Sequence, residues 1–129
     1  MVKKLNHVGI LNKDIYKCIT EDIVTDEVII TDERIKHIME RHPNDYERYY
    51  KYMAEVIADP DYIVEANKPN TAFILKSITE NDKKYELILR LATSDDPKKY
   101  KNSVITFLRV ENKRYNRYLR TKTILYKKE

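Results

Sequence analysis

One glycine, Gly9, serves this whole chain of 129 residues. Phosphate-cradling loops, the GxGxxG dinucleotide fingerprint and the GxSxG nucleophile elbow each need more than one glycine, because the backbone must turn sharply or approach a ligand closely. Most nucleotide hydrolases, dinucleotide oxidoreductases and α/β-hydrolases are thereby excluded. Four prolines and the lack of any low-complexity tract leave no flexible or Pro-rich linker. A chain of this length is expected to fold as one domain around one core.

Cys18 is the single cysteine, so no internal disulfide can form, which suits a reducing compartment. It lies in the run Ile15-Tyr16-Lys17-Cys18-Ile19, which reads as a half-buried strand; a thiol nucleophile is the minor reading. Lys3 and Lys4 begin as a signal peptide does, but Asn6, His7 and Asn12 break any apolar stretch behind them. No run approaches the roughly 20 apolar residues that span a bilayer. A cytoplasmic protein without membrane contact is expected.

Charge is unevenly distributed. Residues 98–129 hold eleven Lys/Arg against two acids, a net of +9, whereas the first 97 residues carry a net of −5. In a compact domain this asymmetry favours one cationic face, and hence a phosphate-bearing partner. A solvated lysine-rich end is the competing reading.

Val8–Leu11 and Ile15–Ile19 read as two short strands around the turn Asn12-Lys13-Asp14, and Val28-Ile29-Ile30 as a further apolar run. Thr31 offers a helix cap, with Asp32 and Glu33 in the first turn. Ile35, Ile38, Met39 and His42 then share one helical face, with Arg34, His37 and Arg41 as a cationic stripe beside it. Pro43 disfavours helical geometry at His42, so the helix should end there. Asn44 and Glu47 have capping-box spacing for a second helix, whose stripe is Tyr46, Tyr49, Tyr50, Met53 and Ile57, and Asp59-Pro60-Asp61 ends it. Strands are expected at Tyr62–Glu65, Thr71–Ile78, Tyr85–Ala92 and Ser103–Val110, followed by a helix over 112–120 and an edge strand Thr123–Tyr126. Short connections make adjacent antiparallel pairing the default. The fold class is therefore α+β, with two N-terminal helices packed on one face of a roughly four-stranded antiparallel sheet.

Phosphodiester cleavage without a metal needs a base for the 2′-hydroxyl proton, an acid for the leaving 5′-oxygen, and donors around the extra phosphate charge. Histidine suits the proton work because its reference pKa is near 6.5. His42 is the first choice: a helix C-terminus favours its charged form while burial opposes it. A core histidine capping its own helix is the bland alternative. Arg41 and His37 lie four apart and can meet one phosphate, or form a solvated stripe. His37 and His42 diverge by about 140° around a helix, so a two-histidine zinc site is not expected. Lys76, Arg90 and Thr106 interrupt apolar strand runs, and charged residues there must find an open face or a partner. Ser103 and Thr106 are hydroxyl donors for phosphate. Lys113, Arg114, Arg117, Tyr118 and Arg120 interleave base and aromatic, as a backbone-binding helix does and as a plain basic surface also does.

The helix end Ile38-Met39-Glu40-Arg41-His42-Pro43, the tyrosine-rich segment closing at Ile57-Ala58-Asp59-Pro60, Ser103-Val104-Ile105-Thr106 and the terminal Ile124-Leu125-Tyr126 together resemble the phage-associated branch of the Barnase–EndoU–Colicin–RelE-like nucleases. The resemblance covers roughly residues 29–127. It implies a two-helix element on a four-stranded antiparallel sheet, with residues 1–28 as an N-terminal strand extension or partner-binding arm and 29–129 as the nuclease domain. It implies metal-independent RNA cleavage leaving a cyclic phosphate, with no cofactor. By that resemblance Arg41 and His42 match the helix-end Arg-His, Ser103 or Thr106 the last-core-strand hydroxyl, and Lys76 and Arg90 loosely fit phosphate ligands. The second catalytic group is not identified. RNA is the expected partner, with an inhibitor or another phage protein as a further one. A non-catalytic nucleic-acid-binding module and a small phage structural protein are the rival readings.

Overall fold

A computed structural model describes residues 5–129, so Lys3 and Lys4 lie outside the described residues. The chain runs β1 (Leu5–Ile10), α1 (Lys13–Tyr16), β2 (Glu27–Thr31), α2 (Asp32–Arg41), α3 (Asp45–Tyr49), a 3₁₀ turn (Tyr50–Tyr52), α4 (Met53–Ala58), β3 (Tyr62–Glu65), β4 (Thr71–Ile78), β5 (Lys83–Arg90), β6 (Asn102–Val110), α5 (Asn112–Thr121) and β7 (Ile124–Lys127). The class is α+β, as the pattern of elements predicts. The sheet is larger than expected and mixed: seven strands in the order β1-β2-β6-β5-β4-β3-β7. β3, β4, β5 and β6 form the expected antiparallel meander. β1 and β2 extend one edge and β7 the other. The β2–β6 pair is parallel, because the long stretch of helices and strands between them supplies the crossover that such pairing needs.

Two expectations fail locally. Residues 15–19 are not a strand. Asn12 accepts a hydrogen bond from the Asp14 amide (2.9 Å) and caps the single helical turn α1, which a turn over 17–19 follows. That turn buries Tyr16, whose hydroxyl donates to the Ile57 carbonyl (2.8 Å). Cys18 is half-buried here, and burial pushes its thiol up, which disfavours a nucleophilic thiolate. The capping box at Asn44 does not form either. Asn44 is left-handed (φ 72°) and makes no side-chain cap bond, since an N-cap of that kind requires extended backbone.

The second helical segment is also interrupted by the 3₁₀ turn. Three residues per turn instead of 3.6 moves the buried stripe out of its α-helical phase. Tyr49, Tyr52, Met53, Val56 and Ile57 are therefore buried, while Tyr50 is 53% exposed and stacks on Tyr46. Their partners across the sheet include Ile74, Tyr85, Leu87, Leu89, Val104 and Phe107, the main core. The opposite sheet face carries a smaller core, in which Val64, Leu75, Leu108 and Val110 receive Tyr115 and Tyr118 of α5. Helices thus cover both faces of the sheet, not one.

The chain turns without glycine. The left-handed positions among the described residues are Asn44, Asn70 and Asp82, residue types that tolerate this backbone best after glycine. Gly9 is not one of them; it faces Ala54, where a Cβ would make an ordinary 3.7 Å contact. No described helix is long and apolar enough to cross a membrane.

Asn44 joins α2 to α3 directly behind His42, so its backbone matters to the site. Asn44→Gly should leave stability near the parent value, whereas Asn44→Val should cost about 1–2 kcal/mol. Urea denaturation of the two variants checks this; equal losses would contradict a left-handed residue at that position.

Candidate active site

The site begins with a sheet pairing that stops early. β2 pairs with β6 only at Val28↔Asn102 and Ile29↔Ser103, while β6 runs on to Val110. α2 starts at once, capped by Thr31 Oγ1, which accepts from the Arg34 amide (3.2 Å). It packs along the remainder of β6. The apolar Ile38 anchors it in the main core. Arg34, His37, Arg41 and His42 are then left along an open cleft of about 450 Å³, whose other wall is the β5–β6 surface. Pro43 ends the helix as expected, with the His42 amide still bonded to the Ile38 carbonyl (2.8 Å) and its φ/ψ at −131°/71°. His42 is half-buried and opens onto this cleft, not into a sealed core.

The strand wall presents Ile88, Ile105, Thr106 and Leu108, with Glu86 beneath and Arg114 of α5 at the end. A β-bulge shapes it: Ile88 faces Thr106 and Leu89 faces Val104, so Ile105 is the extra residue. Both Ile105 and Thr106 consequently line the cleft, where regular alternation allows one.

Glu86 is the group that sequence reasoning missed. It is 1% exposed, on the middle strand of the sheet. Arg114 is an imperfect partner. Its Nη2 donates to Oε2 over a long 3.4 Å, and its Nε, though 3.4 Å from Oε1, donates instead to the Tyr118 hydroxyl (3.0 Å). Oε1 is left buried without a hydrogen bond. Burial accordingly pushes the Glu86 carboxyl above its ordinary range, against smaller pulls from Arg114, the Tyr118 hydroxyl, Lys122 and His42. A buried carboxyl with one unsatisfied oxygen, beside a histidine in a cleft, is the kind of group that functional sites keep. Its signal was present in Tyr85-Glu86-Leu87, a charge inside an apolar run like those at Lys76 and Arg90.

The structure brings His37, Arg41, His42, Thr106 and Arg114 together and adds Glu86 and Arg34. It leaves the others out. Lys76 lies on the opposite sheet face, in register with the core residue Tyr85, and is buried against Asp59 (3.0 Å) and Asp61 (3.5 Å). Lys128 closes the same cluster onto Asp59 (2.6 Å), and these two lysines, Lys128 first, hold the Asp59 carboxyl below its usual range. Lys76 is therefore a structural cation; its burial demanded a counter-charge. Arg90 shares the cleft face but is held by both oxygens of Asp96 (2.9 and 3.0 Å), so its charge is already met. Ser103 pairs with Arg90 beyond the bulge and does not line the cleft. Tyr118 is a core residue packed on Phe73 (5.2 Å between ring centroids), not a stacking platform for a base. Lys113, Arg117 and Arg120 lie on the outer surface of α5 and do not line the cleft. The described residues contain no cluster of three or more metal-ligating side chains.

The fold and the site define a class: a mixed-sheet α+β protein with a buried carboxyl and a histidine lining one cationic cleft. The chain belongs to the family described as phage-Barnase-EndoU-ColicinE5/D-RelE like nuclease2, whose model matches residues 3–127. It is thus a phage-associated nuclease-like protein, with nucleic acid as the substrate class that membership gives. Neither the curated proteins nor the solved structures hold a match to it.

The raised carboxyl has a thermodynamic consequence. A carboxyl that binds its proton more tightly when folded contributes stability below its unfolded pKa, near 4.3, and loses that contribution as pH rises through the raised folded value. The stability of the parent relative to Glu86→Gln should therefore fall as pH is raised from 3.5 to 8. Urea midpoints of both proteins across that range check it; a gap that is constant, or that moves the other way, contradicts a strained buried carboxyl.

Proposed function

We propose that this protein is a ribonuclease that cleaves RNA by internal attack of the 2′-hydroxyl, with Glu86 and His42 as its proton-transfer pair. The observation that carries the reading is the buried carboxyl of Glu86, one oxygen of which has no hydrogen bond, in the lining of the same cleft as the half-buried imidazole at the end of α2.

In this mechanism Glu86 takes the 2′-hydroxyl proton as O2′ bonds to phosphorus. His42 gives its proton to the 5′-oxygen as the P–O5′ bond breaks. The products are a 2′,3′-cyclic phosphate and a free 5′-hydroxyl. Burial favours Glu86 for the base role, because a carboxyl with a raised proton affinity is a stronger base at neutral pH. Arg34, Arg41 and His37 stand where the non-bridging oxygens gather charge, and Thr106 adds a hydroxyl donor. Arg114, which also lines the cleft, contacts the Glu86 carboxylate at 3.4 Å. All proton transfers are made by side chains, so no metal is needed.

The decisive experiment incubates the purified protein with an RNA and the matching DNA in EDTA. RNA alone should be cut, leaving cyclic phosphate ends, and a 2′-deoxy substitution at the cut site should abolish the reaction. Folded His42→Ala and Glu86→Gln should each lose about 10²–10⁴ in rate. Activity should fall as pH drops through the raised Glu86 range, since the protonated carboxyl is no base. Salt-sensitive binding to both polymers without cleavage would instead identify a binding module, and neither binding nor cleavage would favour a structural role.

A further inference from the structure

A second cleft, about 640 Å³, adjoins the first, and Arg34, Ile88 and Ile105 line both. Its floor is the apolar sheet surface of Phe73, Ile88 and Ile105, and its far wall is the β3–β4 turn with Asn67 and Asn70. The volume falls in the range of roughly 300–1,000 Å³ typical of small-ligand sites. The catalytic cleft has cations and proton-transfer groups. This one has an apolar floor and a wall that carries two carboxamides beside the exposed Lys68, with no carboxylate or imidazole in its lining.

We propose that this second cleft seats one unpaired nucleobase of the RNA whose phosphate lies in the neighbouring catalytic cleft, and that Asn67 and Asn70 read that base. The proposal rests on the ribonuclease reading above. A nucleobase is apolar on its faces and carries donors and acceptors on its edge. The floor suits a face and the carboxamides suit an edge. Among the described residues, neither Asn67 nor Asn70 spends its side-chain amide on a protein partner. Asn70 is instead fixed through its backbone, left-handed (φ 58°) with its carbonyl accepting from the Leu91 amide (2.8 Å).

Arg90, between floor and wall, is locked on Asp96, so its charge is already met, and Lys68 stands exposed on the turn beside the two carboxamides. Arg34, at the junction, is placed for a phosphate that joins two nucleotides. A base stacked within a duplex cannot enter a cleft of this shape. The substrate class is therefore single-stranded RNA, with a preference for one base next to the cut.

The test uses the full chain and the four ribonucleoside 3′-monophosphates, followed by NMR. One nucleotide should bind at least about tenfold more tightly than the weakest, and it should shift the side-chain amide signals of Asn67 and Asn70. The double variant N67A/N70G, which keeps a residue suited to the left-handed turn, should bring the four affinities within about threefold. Its affinity for inorganic phosphate should be unchanged. In a cleavage assay the same base should be favoured beside the cut, and the same sequence in a duplex should be cut at least about tenfold more slowly. Equal affinities for the four nucleotides, silent Asn67 and Asn70 signals, or equal cutting of single and double strands would each overturn the proposal. Base-selective binding without cleavage would sink the catalytic reading and leave this one standing; cleavage without base selectivity would do the reverse.

Discussion

The site depends on where β2 lets go of β6. Had the parallel pairing continued past Ile29↔Ser103, a strand would occupy the flank of β6 and no cleft would exist. The separation is enforced locally. Thr31 closes β2 and caps α2 in one residue, so the chain changes from extended to helical with no loop between. The rest of this flank of β6 is then packed by α2 instead of by a strand. Because α2 runs beside the sheet, it anchors Ile38 in the main core while Arg34, His37, Arg41 and His42 reach the other side. One helix therefore contributes both to the fold's stability and to the site's charge.

Glu86 shows the cost of that arrangement. A carboxyl on the middle strand, nearly sealed from water, opposes folding in its charged form. A well-made ion pair would offset this, yet Arg114 divides its donors between the carboxyl and the Tyr118 hydroxyl. Contrast Asp96, whose two oxygens both meet Arg90 at short distance while the Thr93 amide adds a third bond (2.8 Å). The protein can satisfy a carboxylate when nothing else is asked of it. Leaving one Glu86 oxygen buried without a hydrogen bond keeps its proton affinity high.

Much of this was legible in the sequence, and the failures have physical causes. The strands β3 to β6, the helix α5 and the edge strand β7 follow apolar runs and turn residues, which are local signals. The end of α2 at His42 follows from Pro43, also local. The strand expected at 15–19 failed because Asn12 caps a helical turn there, and a run of five residues carries too little periodicity to separate the two. The phase of the tyrosine stripe failed because a 3₁₀ turn leaves no mark in residue spacing. Among site residues, Lys76, Arg90 and Glu86 present one and the same signal, a charge in mid-strand. What separates them is the partner: Asp59 and Asp61 for Lys76, Asp96 for Arg90, and an incomplete one for Glu86. Asp59, Asp61 and Arg114 are distant in sequence and Asp96 reaches Arg90 only through the fold of the loop after β5, so no reading of spacing distinguishes a fully paired charge from an incompletely paired one.

The charge asymmetry of the chain misleads in an instructive way. The C-terminal quarter carries the net of +9, yet only Arg114 of its cations lines the cleft beside α2. The cations that line it come mainly from α2, in the half of the chain whose net charge is negative. Lys113, Arg117 and Arg120 remain on the outside of α5, one helix away from the same cleft through Arg114. Charges placed there do not line the cleft but act over about a Debye length, roughly 8–10 Å at physiological salt, beyond which they are largely screened. They suit the capture and steering of a polyanion, whereas the cations of α2 line the cleft itself. Composition thus shows the sign of the chain's charge excess, and the fold, by running α2 alongside β6, decides which few cations line the cleft.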